Sequence, residues 1–157
     1  LTAVRPDGTV AWTATAPNNL ADEGEPLFLD VVLRNGTAPT QYYLRLSDST
    51  STCSIAETNT LTLASAGEPS TFGYAASLVE RSNTGWPTLA LDSGDYMATS
   101  STESFSATGG AWGPVYCAFL ATTSDNTGKL VSWAALSVGR TLADGESLTV
   151  TYKVKLQ

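Results

Sequence analysis

Apolar and polar residues alternate most regularly at the C-terminal end of the chain. From Leu148 to Leu156 every second residue is apolar, and Thr or Lys occupies the positions between them. Alternation with a period of two is typical of a strand that buries one face. Shorter patterns predict further strands at 9–15, 41–46, 74–80, 96–100 and 103–107, the last two being either separate or one interrupted strand, and either a short strand or a turn at 61–63.

Two longer apolar runs, 114–122 and 129–136, flank a polar loop and predict a β-hairpin. Val115, Cys117 and Phe119 alternate within the first run, so we expect these three side chains to face the core. Seven or eight strands at a spacing of roughly ten residues favour a single sandwich-type domain. The predicted fold class is therefore mainly β, an antiparallel β-sandwich that is jelly-roll-like.

One segment of the chain follows the period of a helix instead. Apolar residues between Leu27 and Val32 recur near the 3.6-residue spacing of an α-helix. Proline is tolerated only in a first helical turn, and an Asn-Gly pair is a common helix stop, so Pro26 and Gly36 limit the segment. The pattern predicts one short helix near residues 26–34.

The first 19 residues show no core periodicity, although they contain Val10 and Trp12. We interpret residues 1–19 as an extended N-terminal arm and residues 20–157 as a single β-sandwich domain. Because an extended segment can add a strand to the sheet edge of another protein, Val10 and Trp12 are predicted anchors on a neighbouring subunit.

Composition limits the function classes. The chain has 157 residues, only 15% of them charged, and a net charge of −7. The eight Lys and Arg residues are scattered, and phosphate contacts need clustered cations, so we expect no nucleic-acid partner. No apolar run approaches the roughly 18 residues of a membrane span, so we expect no membrane partner.

The chain contains no histidine, which excludes His-dependent nucleophilic, acid–base and metal sites. Paired carboxylates remain, and Asp92 and Asp95 are the nearest pair to consider, but acids in an Asp-Ser-Gly-Asp sequence are typical turn formers. Asp125 to Gly128 is read either as half of a calcium loop or as a plain turn, with the turn favoured. We therefore predict no catalytic residue, no metal site and no cofactor; the protein is not expected to be an enzyme.

Two residue types leave alternatives open. Cys53 and Cys117 form no CxxC pair, so Cys117 is either a free core thiol or the disulfide partner of Cys53. Trp86 precedes a proline in a loop, where it either contacts a ligand such as a host surface glycan, or serves packing or an inter-subunit contact.

Five stretches carry a resemblance to a known family: LADEGEPLFLDVVLRNG (20–36), TQYYLRLSDST (40–50), GYAASLVERSNTGWPTLALDSGDYMATSSTESFSATGG (73–110), WGPVYCAFLATTSDNTGKLVSWAALS (112–137) and RTLADGESLTVTYKVKL (140–156). They resemble the small structural proteins of tailed bacteriophages, described as tail-fibre, minor virion or decoration-type proteins. The resemblance implies a virion structural protein, which we expect on the particle exterior. Because the predicted domain is compact and lacks fibre-like repeats, a capsid decoration (cement) subunit is favoured. The alternative is a tail- or fibre-associated protein that binds a receptor or carbohydrate. Its implied partners are major capsid or tail proteins and further copies of itself.

Overall fold

The computed structural model describes residues 1–47 and 52–155, which form two five-stranded antiparallel sheets. The prediction of a mainly β fold with an antiparallel sandwich is confirmed. Sheet A has the order β2-β1-β10-β7-β6, and sheet B has the order β3-β9-β8-β4-β5. The strands of sheet A are β1 (Thr2–Val4), β2 (Val10–Thr13), β6 (Thr88–Asp92), β7 (Asp95–Ser106) and β10 (Ser147–Lys155). Those of sheet B are β3 (Asn18–Leu20), β4 (Gln41–Ser47), β5 (Ser77–Glu80), β8 (Trp112–Ala121) and β9 (Leu130–Leu142).

The main core lies between the two sheets. Alternate residues of β10 enter it, as the C-terminal alternation predicts, and Leu148, Val150 and Tyr152 are buried there. Sheet B contributes Leu44 and Leu120 from neighbouring strands. Burying aliphatic side chains of this size stabilises a fold by about 1.5–3 kcal/mol each. The last residue of the alternation, Leu156, lies outside the described residues.

A second core covers the other face of sheet B. Cys117 and Phe119 from β8 meet Ile55 and Leu61 from the segment that connects β4 to β5. The prediction that Val115, Cys117 and Phe119 share one buried face is therefore wrong, because only Val115 belongs to the core between the sheets. The pairing of β8 with β9 shifts register between Val115 and Cys117, and a one-residue shift moves the following side chains to the opposite face.

A disulfide joins this outer layer to the sheet. Cys53 and Cys117 are bonded, with their Cα atoms 5.2 Å apart, and the bond closes a sequence separation of 64 residues. Of the two states left open by the sequence, the structure shows the paired one. The connection between β4 and β5 is thus attached covalently to the centre of sheet B.

The predicted helix is present as α1 (Gly24–Leu33), beginning two residues earlier than expected. Gly24 is buried against β9, where an added Cβ would lie 2.1 Å from the carbonyl oxygen of Val131. Asn35, with a φ of 57°, follows the helix in the left-handed conformation that often ends helices. A second helix, α2 (Leu61–Ser65), occupies the segment predicted as strand or turn. Among the described residues, neither helix is long and apolar enough to cross a membrane.

The first 19 residues do not extend away as the expected arm. β1 pairs with β10, and β2 pairs with β1, so both strands belong to sheet A of their own chain. β3 follows at Asn18 and pairs with β9 at the edge of sheet B. The segment therefore contributes to both layers of the sandwich. Its short strands and the turn at Pro6-Asp7-Gly8 interrupt any long alternation, which is why periodicity missed its role.

Removing the disulfide tests how much the outer layer depends on it. We expect a Cys53→Ala, Cys117→Ala variant to lose about 2–4 kcal/mol of unfolding free energy, because the unfolded chain regains the freedom that a closed loop of this length restricts. Guanidinium denaturation followed by tryptophan fluorescence measures the loss. Wild-type protein treated with a reductant serves as a control and should show a loss of the same size. An unchanged unfolding free energy in both samples would mean that the outer layer stays in place without the bond.

Candidate functional site

Val10 and Trp12 lie on β2, an edge strand of sheet A. Val10 is 55% exposed, but Trp12 is half-buried against the main core of its own chain. The indole Nε1 of Trp12 donates to the carbonyl oxygen of Thr141 at 3.4 Å, and the guanidinium carbon of Arg140 lies 5.8 Å from the ring centre. Trp12 is therefore engaged within the subunit, and only Val10 of the two predicted anchors presents a largely free side chain.

Trp86 lies in the loop between β5 and β6 and is also half-buried. Its ring meets Tyr42 edge-on at a centroid distance of 6.1 Å, and it packs against the main core. Of the readings left open by the sequence, this geometry favours packing. The structure does not bring Trp86 together with Val10 and Trp12, because β2 and β6 are opposite edges of sheet A.

Asp92 and Asp95 flank the tight turn between β6 and β7, as their sequence suggests. Ser93 and Gly94 adopt positive φ angles of 54° and 99° in that turn. Both carboxylates face Lys155, at 3.6 Å from Asp92 and 3.4 Å from Asp95. The two acids are thus turn residues that share one cation.

A buried ion pair lies at the outer layer of sheet B. Arg45 is almost fully buried, and its guanidinium forms a bidentate salt bridge with the carboxylate of Glu68. Nε of Arg45 donates to Oε1 of Glu68 at 2.9 Å, and Nη2 donates to Oε2. Nη1 of Arg45 also donates to the carbonyl oxygen of Asp125 at 2.7 Å. The hydroxyl of Tyr74 donates to Glu68 Oε1 at 2.5 Å. Since each member is satisfied by protein groups, the cluster ties the 122–129 loop and the Glu68 segment to β4.

The Asp125 to Gly128 segment is one end of this cluster. Oδ1 of Asp125 accepts hydrogen bonds from the amide and the hydroxyl of Thr127, at 2.9 and 2.7 Å. The side chain of Asp125 thereby closes an Asx turn. These hydrogen bonds hold the pKa of Asp125 below its usual value. Within residues 1–47 and 52–155, no group of three or more His, Cys, Asp or Glu side chains is placed to hold a metal ion.

Two buried tyrosines have strongly perturbed ionisation. Burial raises the pKa of Tyr152, whose hydroxyl lies 3.0 Å from the hydroxyl of Ser132 between the sheets. Burial, reinforced by the neighbouring Glu68 carboxylate, raises the pKa of Tyr74. Both phenols are held neutral by the core, and both therefore couple folding to alkaline pH.

An exposed apolar face on the β6–β7 hairpin was not predicted from the sequence. Leu89 and Leu91 are 72% and 64% exposed, and Tyr96, which pairs with Leu91, is 64% exposed. Paired residues share a face, and Ala98 links this face to Val154, which packs against the main core. We call Leu89, Leu91 and Tyr96 the hairpin patch. The hairpin patch lies on the face of sheet A that points toward sheet B, but the rest of the described chain does not cover it.

A second apolar face lies on helix α1. Leu27 and Phe28 pack against the core, whereas Leu29, Val32 and Leu33 are 57%, 73% and 74% exposed. Positions three and four apart lie on one side of a helix, so the three exposed residues form a continuous surface that we call the helix patch. Val32 belongs to the apolar spacing that predicts the helix, but it is exposed because a ten-residue helix resting on a sheet buries only part of its circumference.

An open groove of about 650 Å³ runs beside β3. Its walls combine one aromatic ring with amide, hydroxyl and carboxylate groups, supplied by Asn18, Asn19, Glu25, Glu57, Thr58 and Trp133. Amide, hydroxyl and carboxylate groups in an open groove suit a hydrogen-bonding polar ligand. Trp133 borders this groove, but it is only 8% exposed and belongs to the second core, so little of its ring faces the groove.

The chain matches no protein-family model and no curated protein sequence.

The perturbed tyrosines predict a loss of stability at alkaline pH. Because the folded pKa of both Tyr74 and Tyr152 is raised, their neutral forms stabilise the fold fully below about pH 10, where unfolded tyrosine ionises, and this stabilisation is lost as pH rises further. Two such groups predict a fall of about 2–3 kcal/mol in unfolding free energy between pH 9 and pH 11. Urea denaturation at a series of pH values measures this dependence.

Two phenylalanine variants provide the comparison. Tyr74→Phe should flatten the pH dependence by about half, although it also removes the hydrogen bond to Glu68 and lowers stability at every pH. Tyr96→Phe changes an exposed ring and should leave the dependence unchanged. Equal pH dependence in all three proteins would show that other groups control alkaline unfolding.

Proposed function

We propose that this protein is a structural subunit on the exterior of a tailed-bacteriophage particle, a capsid decoration (cement) subunit that acts through protein–protein contacts. The phage assignment rests on the five stretches that resemble the family. The observation that carries the contact role is the pair of exposed apolar surfaces, the helix patch and the hairpin patch. Large apolar side chains grouped on the surface of a sandwich mark places where another protein binds.

The helix patch suits the shell of the particle. Its three side chains project from a helix that is fixed to sheet B through Gly24 and the side chains of Leu27 and Phe28. A fixed helix face presents its apolar residues without an ordering cost on binding, which favours attachment to a preformed surface. Each contact of this size is weak, but subunits bound to one another as well as to the shell are retained far more strongly than single subunits.

The stability of the fold supports the same role. The second core covers the outer face of sheet B at its centre. The disulfide and the buried Arg45–Glu68 pair hold this outer layer in place. A particle surface is an oxidising, protease-exposed setting in which such covalent attachment persists.

The second candidate is a tail- or fibre-associated protein that binds a receptor carbohydrate. The groove beside β3 favours it, because Asn18, Asn19 and Glu57 lie together in one open surface depression. The number of copies on the particle separates the two candidates. A decoration subunit covers the shell in hundreds of copies, whereas a receptor-binding protein is present in few copies at the tail.

Quantitative mass spectrometry of purified particles of the encoding phage measures this number directly. We expect copies on the order of the major capsid protein, consistent with multivalent coating. Few copies located at the tail, together with glycan binding that an Asn19→Ala variant removes, would support the second candidate and overturn the first. Complete absence from purified particles would overturn both.

A pair of matched variants tests the role of the helix patch. Val32→Lys adds a charge to the patch, and Thr37→Lys adds the same charge to an exposed residue beyond the helix. We expect Val32→Lys to reduce retention on particles strongly and Thr37→Lys to have little effect. Both melting temperatures should stay near that of the wild type, since surface substitutions change stability by only about 0.5 kcal/mol. Equal retention of the two variants would contradict the assignment of this face.

A further inference from the structure

Strand β6 is an edge strand without the features that usually protect an edge. In the described part of the chain it pairs only with β7, in unbroken register from Thr88 to Asp92. Natural sheet edges are protected by short strands, bulges, prolines or cations, which prevent pairing with another chain. None of these lies within β6, whose residues Thr-Leu-Ala-Leu-Asp are all exposed.

The other three sheet edges do show such protection. β3 has only three residues, and the register of β2 against β1 shifts at a bulge. β5 has only four residues, and the loop after it turns back against its last residue, so that an added Cβ on Gly85 would lie 1.9 Å from the carbonyl oxygen of Glu80. Among the described edge strands, β6 is therefore the longest and carries the most exposed large apolar side chains, Leu89 and Leu91.

We propose that β6 pairs antiparallel with β6 of a second copy of this chain, around a two-fold axis through Ala90. The pairing joins the two copies of sheet A into one ten-stranded sheet. Full pairing of the five residues has one register, in which Ala90 lies opposite Ala90, and Leu89 lies opposite Leu91 of the second copy. Such an isologous contact closes on itself as a dimer. The inference concerns how two copies bind one another and does not depend on the phage assignment.

The side chains of β6 are self-complementary in this register. Directly opposite residues share a face, so Leu89 and Leu91 of both copies meet on one side of the new sheet. Tyr96 of each copy flanks them through its pairing with Leu91. Leu89 of each copy thereby contacts Leu91 of the other across the two-fold axis, and the two hairpin patches lie on the same face of the joined sheet.

The charges near β6 permit the pairing despite the acidic net charge of the chain. The strand carries one charge, on Asp92, and Lys155 lies 3.6 Å from that carboxylate. In the proposed register Asp92 lies opposite Thr88, and the two copies of Asp92 are about 14 Å apart, four residues of strand. That separation exceeds the screening length of about 8 Å at physiological ionic strength. Like-charge repulsion is therefore small.

The exposed area indicates how tight the dimer is. With exposed fractions of 72%, 64% and 64%, Leu89, Leu91 and Tyr96 present about 350–400 Å² per copy, if each side chain offers roughly 200 Å² when free. Because edge pairing leaves the outer side of each side chain in solvent, two copies bury less than about 700–800 Å² from these residues, against roughly 1,200 Å² for the smallest stable interfaces. The interface is therefore small, which predicts a weak, reversible dimer.

Sedimentation velocity on the purified protein, over a concentration series, measures the association without any particle. We expect a monomer–dimer equilibrium that Leu91→Lys weakens by at least about tenfold, because a charge would enter the centre of the interface. Val138→Lys is the matched control, since Val138 is also an exposed strand residue, at 55%, but lies on β9. Circular dichroism confirms that each variant is folded.

Cysteine cross-linking tests the register. Opposite residues in an antiparallel pair have Cα atoms about 4.5–5.5 Å apart, within disulfide range. Both native cysteines are already paired. Under mild oxidation, Ala90→Cys should form covalent dimers, and Thr88→Cys should not, because its two copies lie about 14 Å apart in this register.

Three outcomes would overturn the proposal. The first is a monomer at every concentration up to the millimolar range. The second is a dimer that Leu91→Lys and Val138→Lys weaken equally, or that Val32→Lys in the helix patch abolishes. The third is cross-linking of Thr88→Cys as efficiently as Ala90→Cys. These results test only the association of two copies through the hairpin patch, whereas attachment to the particle through the helix patch is tested separately by retention of Val32→Lys.

Discussion

The centre of sheet B, around β8, must be shielded from water on both faces, and the rest of the structure depends on this constraint. Its central strand β8 carries Ala118 and Leu120 toward sheet A and Cys117 and Phe119 toward the outside. Sheet A covers the first pair. The connection between β4 and β5 covers the second pair, held by the disulfide and by the contact of Arg45 with Glu68. Each polar or covalent tie in the outer layer therefore serves to keep that connection on the sheet.

Sheet A has no equivalent constraint, and its exposed surfaces follow from that difference. Its inward face is covered by sheet B only as far as β7, so the apolar residues on β6 and at the start of β7 remain in contact with water. Helix α1 packs Leu27 and Phe28 against the main core and leaves Val32 and Leu33 exposed to solvent. The hairpin patch is thus the place where the two sheets differ in extent, and the helix patch is the side of α1 that faces away from the core.

The sequence predicted the strands that alternate and the helix with its own period, because each of these patterns is local. It did not predict that Cys117 and Phe119 point away from sheet A. The bulge that shifts the register depends on the pairing of β8 with β9 and not on the sequence of β8 alone. It also missed β6, whose Leu89 and Leu91 are exposed. The role of Trp12 depended on a contact with Thr141, far along the chain, which no local pattern contains. For these reasons the fold class was accessible from sequence, whereas the candidate surfaces required the arrangement of the two sheets.

Hydrogen–deuterium exchange of the backbone amides tests most directly whether the uncovered edge of sheet A is where the protein meets its partner. In dilute solution, β8 and β9 should exchange slowly, because the centre of sheet B is covered on both faces, while β6 should exchange fast. At concentrations where the protein associates, exchange should slow at residues 88–92 and remain unchanged at β2, β3 and β5. Slow exchange of β6 already in dilute solution, or protection that appears at another sheet edge on association, would contradict the account.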